Sequence, residues 1–103
     1  MSQREQSLPE RTSGPERRGA SEGPFRIFIH NDDVTPMDFV VHILVSVFSL
    51  PVINAEQVMY SAHLNGTAYV QTLPAHEAQR RIGIACFAAR LRQFPLRFSM
   101  EAE

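Results

Sequence analysis

Lysine is absent from this 103-residue chain, whose ten Lys and Arg positions are all arginine. We read that bias as the codon preference of a GC-rich genome rather than as avoidance of lysine-directed modification. A second cysteine is also missing, so Cys86 can form no intrachain disulfide, and a reducing compartment suits the chain better than an oxidising one. There is no basic excess either. A formal charge of -1 argues against a dedicated nucleic-acid binder. The N-terminus carries no apolar stretch of the kind a secretory signal needs. The longest apolar-rich run, Met37 to Leu50, is too short to span a bilayer and is interrupted by Asp38 and His42. Glycine-rich phosphate loops and the G-x-S-x-G nucleophile motif are both absent. These absences predict a soluble, cytoplasmic protein with neither a membrane nor a nucleic-acid partner.

What is present divides sharply near residue 24. Residues 1–24 hold Ser, Gly, Pro, Gln, four Arg and four Glu, too little apolar surface to offset the entropy of ordering. They are predicted to be a disordered N-terminal extension. Residues 25–103 form the predicted folded domain. Phe25, Ile27 and Ile29 alternate as in a strand that ends at His30. Thr35 offers an N-cap, Pro36 an N1 residue and Asp38 the N3 partner of a capping box, predicting a helix over 36–49. The β-branched content of that segment favours a strand. However, Asp38, His42, Ser46 and Ser49 recur at spacings of four, four and three, one polar stripe on an apolar helix.

A second helix is predicted from an Asn54 cap to a left-handed end at Gly66, with Met59, Ala62 and His63 on one face. Residues 67–73 alternate as a strand, placing Tyr69 and Gln71 on one side and Ala68 and Val70 on the other. Pro74 opens a third helix running to about Arg92, and residues 96–101 alternate again. The expected fold is therefore a small α+β domain of order β-α-α-β-α-β. Its three-stranded antiparallel sheet would carry three helices on one face.

Chemistry has few places to sit. Cys86 lies in the middle of the third helix with no histidine at helical spacing, and reads as core. Asp32 and Asp33 are adjacent on a turn, whereas paired acid/base carboxylates must oppose each other. His30, Asp32, Asp33 and His63 could converge on a metal, but no H-x-x-x-H or cysteine pair fixes such a site. Asn31-Asp32-Asp33 offers more acceptors than one helix cap can use. Taken singly, these three read as turn-forming residues that also favour a helix N-terminus.

The motif N-D-D-V-T-P-M-D-F-V at Asn31–Val40, followed by M-x-x-x-H at Met59–His63 and then Pro95-Leu96, resembles the ClpS adaptor family over about residues 24–103. That resemblance implies a non-enzymatic adaptor without cofactors. Such adaptors bind proteins that begin with a bulky hydrophobic residue and deliver them to the hexameric ClpA unfoldase, which feeds the ClpP protease. It implies that Asn31, Asp32, Asp33 and His63 engage the α-amino group. It further implies a side-chain pocket of Thr35, Met37, Val40, Met59, Ala62 and Leu96, gated by Met37. The chain departs from the family in three places. Val34 stands where many members carry an aromatic residue, and Ala62 where a valine is expected. His76 replaces an acidic contact to the unfoldase, while Arg81 keeps the basic one. A monomer is expected. Two other readings compete: a metal-binding module on His30, Asp32, Asp33 and His63, and a general protein-interaction domain with a degenerate pocket.

Overall fold

The computed structural model describes residues 23–103. The expected disordered extension lies outside them up to residue 22. Six elements follow in the predicted order: β1 (Pro24–His30), α1 (Met37–Ser46), α2 (Val52–Asn65), β2 (Thr67–Pro74), α3 (Ala75–Leu91) and β3 (Arg97–Ala102). The strands form one antiparallel sheet in the order β2-β1-β3. β1 is its centre, with one edge paired to β2 and the other to β3. Ile27 and Ile29 point inward, opposite Met100 and Phe98 of β3. They join Ile43, Leu44 and Phe48 from the α1 segment, Ala55 and Ala62 from α2, and Ala78, Ala85 and Ala89 from α3 in one core. The alanines of α3 let that helix approach the sheet closely, while the larger side chains fill the space beside it. Each fully buried residue such as Phe48, Ile27 or Leu44 contributes roughly 1.5–3 kcal/mol of transfer free energy.

Several local expectations change. Thr35 does not cap α1: Pro36 takes the N-cap position with no side-chain cap bond, and in the first turn the Phe39 N–H donates to Asp38 Oδ1 at 2.9 Å. The Thr35 hydroxyl donates instead to Asp32 Oδ2 at 2.9 Å, so the capping box loses its first member to the preceding turn. α1 also stops at Ser46 rather than residue 49, and Ser49 adopts φ 60°, turning the chain into Pro51. α2 begins at Val52, two residues before the expected Asn54 cap, because Pro51 supplies the restricted φ of -58° at which a helix can start. Its end is as expected. Gly66 takes φ 89° and its N–H donates to Ala62 O at 2.8 Å.

In β2 the alternation slips by one residue. Ile27 pairs with Gln71 but Phe28 with Tyr69, leaving Val70 as the extra residue of a bulge. Tyr69 stays outside, edge-on to Phe28 at 6.1 Å. Gln71, expected beside Tyr69, is turned to the helix side, where its Nε2 donates to Phe48 O at 3.1 Å. Cys86 is half-buried rather than fully in the core.

Candidate functional site

Three segments meet at the end of β1, and the topology dictates that they do. β2 and β3 both run antiparallel to β1, so their first residues, Thr67 and Arg97, pair with its last, His30. The residues just before each strand start therefore arrive beside the turn that leaves β1. For β2 that is the last turn of α2, and for β3 it is Leu96. The backbone N–H of Asn31 donates to Gly66 O at 2.9 Å, closing the first of these contacts. His63, less than a turn before Gly66, is thus brought next to Asn31.

Between these segments lies a cavity of about 300 Å³. Its walls include Asn31, Asp32, Asp33 and His63, together with Thr35, Met37, Val40, Met59, Ala62 and Leu96. Every residue expected for the amine site and the side-chain pocket lines this one cavity. His76 and Arg81 lie apart from it, in the first turns of α3. Ile29, His30, Val34 and Pro36 line it as well, without having been singled out as pocket residues. Val34 and Pro36 are positions of the N-D-D-x-T-P-M motif itself, and Ile29 and His30 are the end of the strand that leads into it.

The floor is apolar and deep. Leu96 is 1% exposed, Ala62 3% and Met59 7%, whereas Met37 at the mouth is 42% exposed. Met37 and Val40 come from the first turn of α1, whose start is fixed by the turn at 31–35. A rigid turn therefore sets where the mouth of the cavity lies.

That turn is organised by Asp32. Its Oδ1 accepts from the N–H groups of Val34 (2.8 Å) and Thr35 (2.7 Å), and its Oδ2 accepts from the Thr35 hydroxyl. Burial pushes the Asp32 carboxyl up, but those bonds from Thr35 and Val34, with the Arg90 charge behind them, hold it below its ordinary value. Asp32 differs in this from its neighbours. Among the described residues, the side chains of Asn31, Asp33 and His63 are exposed and make no hydrogen bond. The rim thus carries a carbonyl oxygen, a carboxylate and an imidazole without internal partners. α2 also ends here, so the negative end of its dipole faces the same rim.

His30 is held differently. Its Nε2 pairs with Ser99 Oγ at 2.7 Å on the outer face of the sheet, and partial burial, with the Arg97 charge, lowers its pKa. Among the described residues, no three His, Cys, Asp or Glu side chains cluster closely enough to hold a metal ion. The arrangement suits a ligand that is cationic at one end and hydrocarbon next to it. No described helix is long and apolar enough to cross a membrane.

Comparison with known proteins agrees with this geometry. Residues 20–99 match the family model of the ATP-dependent Clp protease adaptor protein ClpS. The ClpS adapter of Desulforapulum autotrophicum is 34% identical over 104 residues, covering 100% of both chains. That of Desulfotalea psychrophila is 42% identical over 80 residues, covering 77% of this chain and 78% of its own. Among solved structures, Agrobacterium tumefaciens ClpS2 bound to L-phenylalaninamide superposes with a TM-score of 0.76 at 30% identity, covering 80% of this chain and 99% of that one. With a family match across most of its length and relatives above 30% identity, the chain belongs to the ClpS family of Clp protease adaptors.

Proposed function

We propose that this adaptor, a non-catalytic member of its family, binds N-terminal degrons by gripping the free α-amino group and the first side chain together. The observation that carries the reading is the pairing of unsatisfied acceptors at the rim with a buried apolar floor in one cavity of about 300 Å³, the small end of the range of roughly 300–1,000 Å³ for ligand sites. Asn31 through its carbonyl oxygen and His63 through a neutral ring nitrogen accept from the ammonium. Asp33 adds negative potential, directly or through water. Asp32 builds the turn and contributes its charge. The first side chain enters between Met37 and Val40 and rests on Met59, Ala62 and Leu96, with Thr35 at its edge.

The energetics require both halves. Each charge-assisted hydrogen bond contributes roughly 1.5–3 kcal/mol, and burying a Leu or Phe side chain a further 1.5–3 kcal/mol or so. Association itself costs at least about 4 kcal/mol. Set against that cost, two such bonds and one buried side chain leave roughly 0.5–5 kcal/mol in favour of binding, and neither half alone leaves a comparable surplus. Such binding suits a carrier that must release its cargo. The phenylalaninamide bound by the Agrobacterium relative, an aromatic side chain beside a free amine, has the chemistry this cavity calls for.

Delivery is to a ClpA-type unfoldase through its N-terminal domain, with His76 and Arg81 at the contact, by a cytoplasmic monomer. Calorimetry with a Phe-initiated peptide, its N-acetylated twin and matched Leu- and Ala-initiated peptides tests the reading. Binding of the first, with the acetylated and Ala peptides at least about a hundredfold weaker, is the expected result. Equal binding of the acetylated peptide would remove the role given to Asn31, Asp33 and His63. Because the small Ala62 side chain leaves the floor wide, Phe should also outbind Leu.

A further inference from the structure

Arg90 stands in the last turn of α3 and is not among the residues that line the cavity. Nη1 donates to Phe94 O at 2.8 Å and to Leu96 O at 3.1 Å. Those carbonyls belong to the segment between α3 and β3, which has no ladder of its own to satisfy them. This segment also makes a tight reversal, with Gln93 at φ 63°, and it ends on Leu96, a buried residue of the cavity floor. On its other side, Phe94 packs edge-on against Phe39 of α1 at 4.9 Å. Arg92 lies over both rings, 5.6 and 5.7 Å from their centroids.

We infer that Arg90 is a positioning residue for ligand binding, tethering the segment that carries Leu96 and holding the floor of the side-chain pocket in register with the Asp32 turn. Its guanidinium is planar and rigid, with five donors, so one group can bond two carbonyls and still present its charge to a carboxylate. Its charge adds only a minor lowering to the Asp32 carboxyl, behind the hydrogen bonds from Thr35 and Val34, so the tether is carried chiefly by the two carbonyl bonds. The ligand explains why such a tether matters. In an N-terminal residue the ammonium nitrogen and the side chain hang from one Cα, so the distance between them is fixed by covalent geometry. A cleft that takes both must keep its two halves at a constant spacing, and small misplacements are costly to affinity. Arg90 touches neither half of the ligand; it acts through Leu96 and Asp32.

This inference rests on the degron-binding reading, and its test separates the two. In the full chain, Arg90→Met keeps the aliphatic stem but removes the fork and the charge, and Arg90→Lys keeps the charge with a single donor centre. We expect Arg90→Met to weaken the Phe-initiated peptide by about tenfold, the cost of two lost charge-assisted bonds felt at one remove. The NMR titration of the Asp32 carboxyl should move up in the same variant, and the Leu96 methyl signals should shift. Arg90→Lys should keep the Asp32 titration and recover only part of the affinity. A purely structural arginine would lower the melting temperature yet leave the folded protein's peptide affinity and the Asp32 titration unchanged. Either of those two results would overturn the inference. If Arg90→Met does not fold, Arg90→Lys with full affinity and unshifted Leu96 signals overturns it equally. Should the wild-type protein fail to distinguish the Phe peptide from its acetylated twin, the degron reading falls. The Asp32 and Leu96 signals still report then on the tether.

Discussion

Two polar clusters on this small domain look alike in sequence and behave oppositely in structure. At the end of β1, Asn31, Asp33 and His63 surround a cavity and their side chains have no hydrogen-bond partner among the described residues, whereas Asp32 is satisfied within the turn. At the start of α3, Glu77 accepts from Arg80 at 3.2 and 2.7 Å and from Arg81 at 2.7 Å, so its oxygens and both arginines are engaged with each other. The first cluster is poised for an external donor. The second neutralises itself, and Arg81, the one basic contact that resemblance to the family assigns to the unfoldase, meets a partner with its charge already paired. Readiness to bind is thus seen in which polar groups the fold leaves unpaired beside apolar surface, rather than in how many charges a segment carries.

The comparison is sharpest at the rim. His63→Ala or Asn31→Ala should weaken a Phe-initiated peptide by about ten- to a hundredfold each, the equivalent of one charge-assisted bond. Arg81→Ala should leave the same affinity unchanged, as calorimetry on the three variants would show. A loss at Arg81 matching that at His63 would erase the distinction between the clusters. Next in size is the mouth. Met37, 42% exposed at the cavity entrance, is the proposed gate. Met37→Ala should admit Val- and Ile-initiated peptides that the wild type rejects, while changing Phe binding by less than about fivefold, since only a rim contact is lost. Continued rejection of β-branched residues would place selectivity on the floor instead.

Much of this was legible in the sequence because it depends on local patterns. The strand alternation of Phe25, Ile27 and Ile29, the glycine end of α2 and the element order all follow from periodicity and turn chemistry. So does the convergence of the site, once β2 and β3 are taken as antiparallel to β1: their starts must then lie at its end. What failed depended on competition between neighbours. Thr35 has the right residue type for a cap, but the Asp32 carboxylate two turn-bonds away holds its hydroxyl first. Gln71 has the right parity to face outward, but the bulge at Val70 shifts the register, and a bulge is fixed by the pairing of two strands rather than by either one. Arg90 carries no such local signal. Its partners are backbone carbonyls, which every residue possesses, so no pattern in the sequence marks them.

The smallest expected effect comes from the self-neutralised cluster, and its sign can be worked out. Hydrogen bonds from Arg80 and Arg81 lower the Glu77 pKa from 4.5 to about 2. A carboxyl depressed in the folded state contributes stability that is fully present above its unfolded value and is lost as pH falls through the folded one. The Glu77 contribution should therefore be constant above pH 4.5 and fade between there and about pH 2. Other carboxylates titrate over the same range, Asp32 among them. The informative quantity is thus the difference in melting temperature between wild type and Glu77→Gln, followed through that window. The difference should be small, because Arg80 is exposed and Glu77 and Arg81 are only partly covered, so that water and salt screen their attraction, and it should shrink toward the acid end. Peptide affinity at neutral pH should be the same in both proteins. If Glu77→Gln instead altered peptide binding, the charges of α3 would be coupled to the cavity after all, and the contrast between a poised cluster and a closed one would no longer explain where this domain binds.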